Sequence, residues 1–154
     1  MSARFEAAAV SLGARVKHAS RVSGGDVNET YRVTLDDGRV VFAKTHASPP
    51  DDMYAAEVDG LAFLAEGPLR VPRVLACTND VLFLEWLEPA PRVRDFDERL
   101  GRGLAALHRS PTRFGHLRNN FIGPLPQDNT PAADWPTFYA ERRLLPMLAR
   151  ARAD

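Results

Sequence analysis

The stretch Val40-Val41-Phe42-Ala43-Lys44 reads as an apolar strand that ends in an ammonium group. Valine and phenylalanine favour strands, and alternate residues of a strand share one face, so Phe42 and Lys44 are predicted to point the same way. Lysine is almost never fully buried unless its charge is paired. Lys44 therefore either reaches solvent at the end of the strand or meets a fixed anion.

Turn signals place a β-hairpin on the N-terminal side of this strand. Apolar alternation predicts strands over residues 15–22 and 27–35, and Ser23-Gly24-Gly25-Asp26 between them is a turn sequence. Asp36-Asp37-Gly38 is a second turn, which leads into a strand over 39–45. The pattern predicts an antiparallel sheet with a glycine turn beside the strand of Lys44.

A helix over residues 52–66 supplies a possible partner for Lys44. Met53, Glu57, Leu61 and Leu64 recur at helical spacing, with Ser48 or Asp51 as candidate N-cap and Gly67-Pro68 as the stop. A carboxylate on an apolar stripe is costly without a cation. We therefore expect Glu57 to pair with Lys44, although each could also lie at an edge and face solvent.

The following segment completes a first lobe. Strands are predicted over 73–78 and 81–84, and the second of these is apolar throughout, as in a strand buried on both faces. Glu85-Trp86-Leu87-Glu88 then meets Pro89 and Pro91, which indicates a rigid connector. We expect residues 1–88 to form one lobe and residues 89–154 to form a hinge and the start of a second, helical lobe.

The second lobe is predicted to contain two amphipathic helices, over 94–109 and 135–150, separated by a long loop over 110–133. Gly101 and Gly103 in the first helix would allow close packing. Asp134 before Trp135 is a cap for the second helix. A loop of that length inside a compact domain is more often functional than idle.

Composition narrows the classes of function. The formal net charge is +0 and no basic patch stands out, which argues against nucleic acid as a partner. No apolar run reaches the length of a membrane span, so no membrane role is expected. The single cysteine, Cys77, excludes an internal disulfide framework and fits a reducing compartment, and we expect a cytoplasmic location.

These residues suit the handling of phosphate groups. The glycines Gly24 and Gly25 would let backbone N–H groups approach phosphate oxygens, and Asn28 is a neutral donor nearby. Lys44 would supply a positive charge that Glu57 holds in position. Phe42 could pack over a nucleotide base, and the connector Glu85-Trp86-Leu87 could offer its backbone groups to the edge of that base.

The chain resembles the fructosamine (ketosamine) kinase family, a branch of the kinase-like superfamily that includes the aminoglycoside phosphotransferases. The resemblance covers nearly the whole chain and is most specific over residues 114–146. The matching segments are Gly-Gly-Asp-Val-Asn-Glu-Thr-Tyr-Arg-Val (24–33), Val-Phe-Ala-Lys (41–44), Met-x-x-x-Glu-x-x-Gly-Leu (53–61), Val-Pro-x-Val-Leu (71–75), Leu-Glu-Trp-Leu (84–87), Leu-Gly-x-Gly-Leu-Ala-x-Leu-His (100–108), Phe-Gly (114–115), Asn-Phe-Ile-Gly (120–123), Pro-Gln-x-Asn (126–129), Asp-Trp (134–135) and Arg-Leu-Leu-Pro (143–146).

The resemblance implies a kinase-like α+β fold: a five-stranded antiparallel sheet with one packed helix, followed by the opening helices of a truncated lobe. It implies ATP-dependent phosphorylation of the sugar moiety of ketosamines, such as fructosamines or ribulosamines on small amines or glycated proteins, and hence protein deglycation. Gly24, Gly25, Lys44, Glu57 and residues 85–87 take the nucleotide roles by match, and Mg²⁺ accompanies ATP in the family.

One departure from the family pattern limits these expectations. The catalytic loop His-Gly-Asp-Leu-Trp and the later metal-binding Asp are absent from the chain. By resemblance, the catalytic Asp is expected beyond Asp154, the last residue of the sequence. No catalytic residue or metal ligand is therefore assigned, and we expect nucleotide binding without turnover by this chain alone. Asn119 also stands where the family often has Asp.

Two alternatives remain open at this point. The chain could be a non-catalytic module that binds a nucleotide or a protein partner. It could also be a related small-molecule kinase whose acceptor is an aminoglycoside, choline or a homoserine-like alcohol. Neither the acceptor nor the oligomeric state follows from the sequence.

Overall fold

Five antiparallel strands form one sheet in the computed structural model, which describes residues 3–23, 27–109 and 114–153. The spatial order of the strands is β1-β2-β3-β5-β4. Their bounds are β1 Val16–Val22, β2 Glu29–Leu35, β3 Val40–Thr45, β4 Val74–Cys77 and β5 Val81–Glu85. All the pairings are antiparallel, as predicted.

Strand β3 lies at the centre of the sheet, and its register fixes the surroundings of Lys44. Lys44 pairs with Thr30 of β2 on one side and with Leu82 of β5 on the other. Phe42, two residues earlier, pairs with Leu84 of β5. Because residues two apart share a face, Phe42 and Lys44 lie on one face of the sheet.

Two of the described helices pack on the sheet, rather than the one that was predicted. Helix α1 (Ala3–Ser11) buries Phe5, Ala8 and Ala9 against one face, and helix α2 (Met53–Ala65) buries Tyr54 against the other, beside Leu82 and Leu84. The alanines leave room for α1 to approach the strands closely. Residues 81–84 are buried as predicted, because β5 is covered on both faces.

The start of α2 differs from the prediction. Its N-cap is Asp52, with φ 63°, and neither Ser48 nor Asp51 caps the helix. A turn closed by the Met53 N–H on the carbonyl of Pro50 comes immediately before the helix. The Asp52 side chain accepts no capping hydrogen bond, so the helix begins without the usual side-chain stabilisation of its first turn.

The second half of the chain contains more regular structure than was predicted. Helix α3 runs over Phe96–His108, and the predicted loop contains a short hairpin, β6 (Asn120–Ile122) and β7 (Leu125–Gln127). Each of these strands has three residues, which is too short for an alternating pattern to reveal. The Ala132 N–H donates to the Phe114 carbonyl at 2.9 Å and closes the base of this segment.

The predicted last helix is a run of three helical segments. These are α4 (Trp135–Tyr139), a π-helical turn (Ala140–Leu144) and α5 (Leu145–Ala151), and Asp134 caps the first by accepting from the Thr137 N–H at 2.8 Å. Pro146 has no N–H to donate to the carbonyl four residues before it. Nη1 of Arg143 donates to that carbonyl, of Arg142, at 2.9 Å.

Within the described part of the chain, no helix combines the length and the apolar character needed to cross a bilayer.

Candidate functional site

Lys44 and Glu57 form a two-pronged ion pair, which confirms the contact that the sequence predicted. Nζ of Lys44 lies 2.6 Å from Oε1 and 2.7 Å from Oε2 of Glu57. The two side chains are 22% and 27% exposed, so the pair is largely shielded from water but still open on one side. Charge-assisted hydrogen bonds of this length are among the stronger ones in proteins.

Packing of α2 on the sheet brings these two groups together. Tyr54 lies one turn before Glu57 on the same helix, and its ring is buried against Leu82, the cross-strand neighbour of Lys44. Oη of Tyr54 donates to Oδ1 of Asn28 at 3.2 Å. Burial, and to a lesser degree the charge of Glu57, raise the pKa of Tyr54, so its hydroxyl remains a donor at neutral pH.

A cavity of about 400 Å³ opens beside the ion pair. Four of the predicted nucleotide residues line it together: Asn28, Phe42, Lys44 and Glu57. A cation held by a carboxylate at the wall of an open cavity can meet a second anion, such as a phosphate. The amide of Asn28 is already oriented by Tyr54, so it faces this space in a fixed position relative to the helix.

A second cavity, of about 290 Å³, adjoins the first and is mainly apolar. It is lined by Phe42, Trp86, Leu87 and Glu85, and it shares Phe42, Pro72 and Leu84 with the first cavity. The ring centroids of Phe42 and Trp86 are 6.4 Å apart. An apolar space next to a cationic one suits a ligand with a flat apolar end and a negatively charged end.

Trp86 is held in place from three directions. Nε1 of its ring donates to Oε1 of Glu88 at 2.9 Å, and the guanidinium carbon of Arg32 lies 5.4 Å from the ring centroid. Phe42 provides the third contact. The ring is therefore a preformed wall of the apolar cavity, and no sequence pattern pointed to the contribution of Arg32.

The connector offers fewer backbone groups than was expected. The N–H of Glu85 donates to the carbonyl of Arg73, and the Glu85 carboxylate accepts from Nη2 of Arg70 at 2.9 Å. The Arg73 N–H also donates to Oε2 of Glu85 at 3.3 Å, and this bond, followed by the one from Arg70, holds the pKa of Glu85 below its usual value. Among the described residues, the backbone groups of Trp86 and Leu87 have no backbone partner, so they remain the candidates for contact with a base.

Some of the predicted site residues cannot be placed. Gly24 and Gly25, the predicted phosphate-binding turn, lie outside the residues that the structure describes, and so does Asp154. The catalytic Asp that the family resemblance implies beyond Asp154 therefore stays a prediction. Among the residues that the structure does describe, no group of three or more His, Cys, Asp or Glu side chains is placed to hold a metal ion.

A polar cluster in the segment 114–129 was not predicted. Asn129 is 4% exposed. Its amide nitrogen donates to the Arg118 carbonyl at 3.0 Å, its backbone N–H donates to Oδ1 of Asn119 at 2.8 Å, and its Oδ1 accepts from Nη2 of Arg143. Asn119 thus acts here as an acceptor, which an aspartate could also do. The only sequence signal was the asparagine of the Pro-Gln-x-Asn motif.

Comparison with known proteins identifies the family. The fructosamine kinase family profile matches residues 2–154. The chain belongs to the fructosamine kinase family. The family assignment agrees with the resemblance read from residues 24–146, and it accounts for the kinase-like α+β fold.

Curated relatives in the fructosamine kinase family carry related names. A "probable ketoamine kinase" of Thermus thermophilus is 40% identical over 125 residues, which are 81% of this chain and 45% of that protein. A Synechocystis protein of the same name is 37% identical over 145 residues, covering 90% of this chain and 49% of that protein. The chloroplastic protein-ribulosamine 3-kinase of Arabidopsis thaliana is 33% identical over 140 residues, covering 85% and 42%. The chain spans about half the length of the relatives it matches.

A solved structure shares the whole described fold. A Thermobifida fusca protein assigned as a fructosamine-3-kinase is 35% identical and superposes with a TM-score of 0.82, over 99% of this chain and 54% of that one. The arrangement of the five-stranded sheet and the helices that follow is therefore that of a fructosamine kinase structure.

Proposed function

We propose that this chain carries the ATP site of a ketosamine kinase, an enzyme that phosphorylates the sugar moiety of fructosamines or ribulosamines and so serves protein deglycation. The observation that carries the proposal is the Lys44–Glu57 pair, with distances of 2.6 and 2.7 Å, on the wall of an open cavity. Phosphoryl transfer asks the protein mainly to hold and neutralise phosphates, and this pair presents one oriented positive charge.

The proposed roles follow from the two adjoining cavities. Lys44 contacts the inner phosphates, Glu57 keeps its ammonium in position, and Asn28 adds a neutral donor. The base occupies the apolar cavity between Phe42 and the connector, where Trp86 and Leu87 have backbone groups without a backbone partner among the described residues. Gly24 and Gly25 keep the phosphate role that the sequence assigns to them.

The described residues do not fit Mg²⁺ by themselves, since they contain no cluster of candidate ligands. Mg²⁺ would neutralise charge on the phosphates during transfer. We propose that its protein ligands, like the acceptor base, belong to a part of the kinase that this chain does not contain. In this division residues 1–88 are the nucleotide-binding lobe, and residues 89–154 are the hinge and the start of the substrate lobe.

The acceptor is proposed to be a ketosamine, either a small molecule or a glycated protein. Two plant relatives are named protein-ribulosamine 3-kinase, which supports a glycated protein. A reducing compartment such as the cytoplasm fits the single cysteine, Cys77.

Binding of MgATP to the purified chain tests the nucleotide role. Lys44→Ala and Glu57→Gln are each expected to raise the dissociation constant by roughly tenfold or more, because a hydrogen bond to a charged group contributes about 1.5–3 kcal/mol. Isothermal titration calorimetry measures the constant. Lys17→Ala, at an exposed position of β1, is the matched control. If the unchanged chain and all three variants bound MgATP with the same dissociation constant, the proposal would be contradicted.

The purified chain is also expected to consume no ATP in the presence of a ketosamine, since it holds no His-Gly-Asp sequence. A coupled ADP-release assay with a ribulosamine substrate measures this. Ketosamine-dependent turnover that disappears in Lys44→Ala would contradict this expectation. It would show that catalysis does not need the acceptor base and the Mg²⁺ ligands that are assigned to a part of the kinase outside this chain.

A further inference from the structure

Helix α2, which carries Glu57, is held to the sheet mainly through its first half. Its buried residues are Met53, Tyr54 and Ala56, all N-terminal to Glu57. From Ala62 to Ala65 every residue is exposed. The helix also begins without a side-chain cap. Beyond Glu57, Val58 and Leu61 still pack against the sheet, but the contacts with the sheet end there, and residues 62–65 are not held by them.

The segment 116–121 contacts this second half. Nε of Arg118 lies 3.0 Å from Oδ2 of Asp59, and the rings of His116 and Phe63 meet edge to face with centroids 5.5 Å apart. Strand β6 packs against α2, and Asn120 and Phe121 face Gly60 and Leu64 across a cavity of about 320 Å³. Three kinds of contact thus follow one side of the helix over about two turns.

The segment 116–121 is itself firmly anchored. The His116 N–H donates to the Asn129 carbonyl at 2.9 Å, and the carbonyl of Arg118 accepts from the side-chain amide of the buried Asn129 at 3.0 Å. Asn129 is tied in turn to Arg143 in the π-helical turn. Through Arg118, Asn129 and Arg143, helix α2 is therefore connected to the helical segments near the end of the chain.

Helix geometry joins these contacts to the ion pair. Glu57 and Asp59 are two residues apart, which separates them by roughly 200° around the helix axis. Glu57 is held by Lys44 on the sheet side and Asp59 by Arg118 on another side. A rotation of α2 that would carry Glu57 away from Lys44 must also break the contact of Asp59 with Arg118.

We propose that Asp59 and Arg118 are positioning residues for the nucleotide site: their contact fixes the rotation of α2 and so keeps Glu57 on Lys44. The phosphate-binding consequence rests on the proposed function, but the effect on the ion pair does not. Neither residue touches the ligand cavity that holds Lys44. The second half of the chain thereby takes part in arranging a charge that the first half presents.

Amine labelling tests the proposal without any nucleotide. The chain has two lysines, Lys17 and Lys44. Lys17 is exposed on β1, whereas the Lys44 ammonium must leave Glu57 and lose a proton before an acylating reagent can modify it. Mass spectrometry of the digested protein gives the ratio of Lys44 to Lys17 modification, and Lys17 serves as the internal reference.

Asp59→Asn and Arg118→Gln are each expected to raise this ratio by roughly two- to fivefold, the range of a partly exposed ion pair. The two changes together should add little more, because they remove the same contact. The charge swap Asp59→Arg with Arg118→Asp should bring the ratio back towards that of the unchanged chain. Glu66→Gln is the matched control, since Glu66 is an exposed carboxylate at the C-cap of α2 and has no ion pair among the described residues.

A purely structural role for Asp59 and Arg118 would give a different result in the folded chain. Because Lys17 is already exposed, general destabilisation would also raise the ratio, by exposing Lys44 in the unfolded fraction, so labelling is carried out well below the unfolding midpoint of each variant. A ratio that stays unchanged there, or that rises only in step with the unfolded fraction measured by urea unfolding, would overturn the proposal. The MgATP affinity of the same variants should fall by a similar factor. If the unchanged chain binds no MgATP, the proposed function fails, while the labelling ratio still decides whether Asp59 and Arg118 position the ion pair.

Discussion

At the scale of single residues, Gly115 makes a close approach that no other residue type can make. Its φ is +134°, and a Cβ there would lie 2.6 Å from the Asn129 carbonyl oxygen and 2.7 Å from the Cα of Pro131. Both neighbours are backbone atoms, which cannot swing aside. Gly115 thus lets the two ends of the segment 114–131 lie against each other, with Asn129 buried between them.

Gly115→Ala is expected to lower the free energy of unfolding by about 2–4 kcal/mol, through backbone strain and the loss of the contacts around Asn129. Urea unfolding measures the change. Gly60→Ala, in the middle of α2, is the matched control, because its Cβ would meet nothing within 4 Å. That change should stabilise the chain by about 0.5–1 kcal/mol, since alanine favours helix over glycine. An equal effect of the two changes would contradict the strain argument.

At the scale of elements, α3 uses one of its glycines for packing and leaves the other open. A Cβ at Gly103 would overlap Cδ2 of Leu69, whereas a Cβ at Gly101 would meet nothing within 4 Å. The sequence predicted close packing at both positions. Only Gly103 fits that prediction, because the two residues lie on different sides of the helix and only one side faces Leu69.

Gly101→Ala is therefore expected to stabilise the chain by about 0.5–1 kcal/mol, and Gly103→Ala to lose this gain or to destabilise. Thermal unfolding of the two variants, compared with the unchanged chain, measures the difference in sign. If Gly103→Ala were as stable as Gly101→Ala, the Leu69 side chain could move aside easily. The contact between Gly103 and Leu69 would then contribute little to the free energy of unfolding.

The elements also show what sequence patterns can and cannot reveal. Alternation predicted β2 and β3, and helical spacing put Glu57 within reach of Lys44, because both patterns report which face is buried. The packing of α1 on the sheet was missed, since a short alanine-rich helix does not indicate its partner. The strands of the hairpin β6–β7 are too short to show periodicity, and the Asn129 cluster depends on contacts with residues 10 and 11 positions away, in a stretch without a regular pattern.

At the scale of the whole molecule, several carboxylates bind protons less readily when the chain is folded. Hydrogen bonds from the Arg73 backbone and from Arg70 lower the pKa of Glu85, and those from Thr130 lower the pKa of Asp128. In the unfolded chain these groups titrate near their ordinary values, about 4. The unfolded chain therefore takes up protons first as the pH falls, which favours unfolding.

The free energy of unfolding is thus expected to be steady from neutral pH down to about 5, and to fall below about 4 as the pH passes the lowered pKa values. Urea midpoints measured from pH 7 to pH 3 test this. In Glu85→Gln the acid decline should be shallower, because one of these carboxylates no longer titrates. An unchanged slope would mean that the contacts of Glu85 with Arg70 and Arg73 do not persist in solution.

The second half of the chain exposes apolar helix faces, as expected for a part of a kinase rather than for a self-standing binding module. Phe96, Leu100 and Leu104 of α3 are 37–39% exposed, and Leu145 and Leu148 of α5 are 56% and 46% exposed. Apolar surface of this kind normally meets a partner. The chain spans about half the length of its relatives, and the proposed kinase has further chain to cover these faces.

The purified chain is accordingly expected to bind a dye that fluoresces on apolar surfaces and to associate as its concentration rises. Gel filtration and dye fluorescence measure the two effects, and Leu104→Gln with Leu148→Gln should weaken both. If the chain is monodisperse and does not increase the fluorescence of the dye, the result would instead favour the interpretation that it is a non-catalytic binding module.

The scarcity of lysine has a consequence for an enzyme that works among reducing sugars. Two of the chain's twenty Lys and Arg residues are lysines, and the ε-amine of one of them, Lys44, is held by Glu57. Reducing sugars react with free amines, so under the proposed function this part of a deglycating enzyme offers them little more than Lys17 and the chain terminus. The ion pair that is proposed to position Lys44 for a phosphate would therefore also protect Lys44 from glycation, the modification that the proposed enzyme repairs.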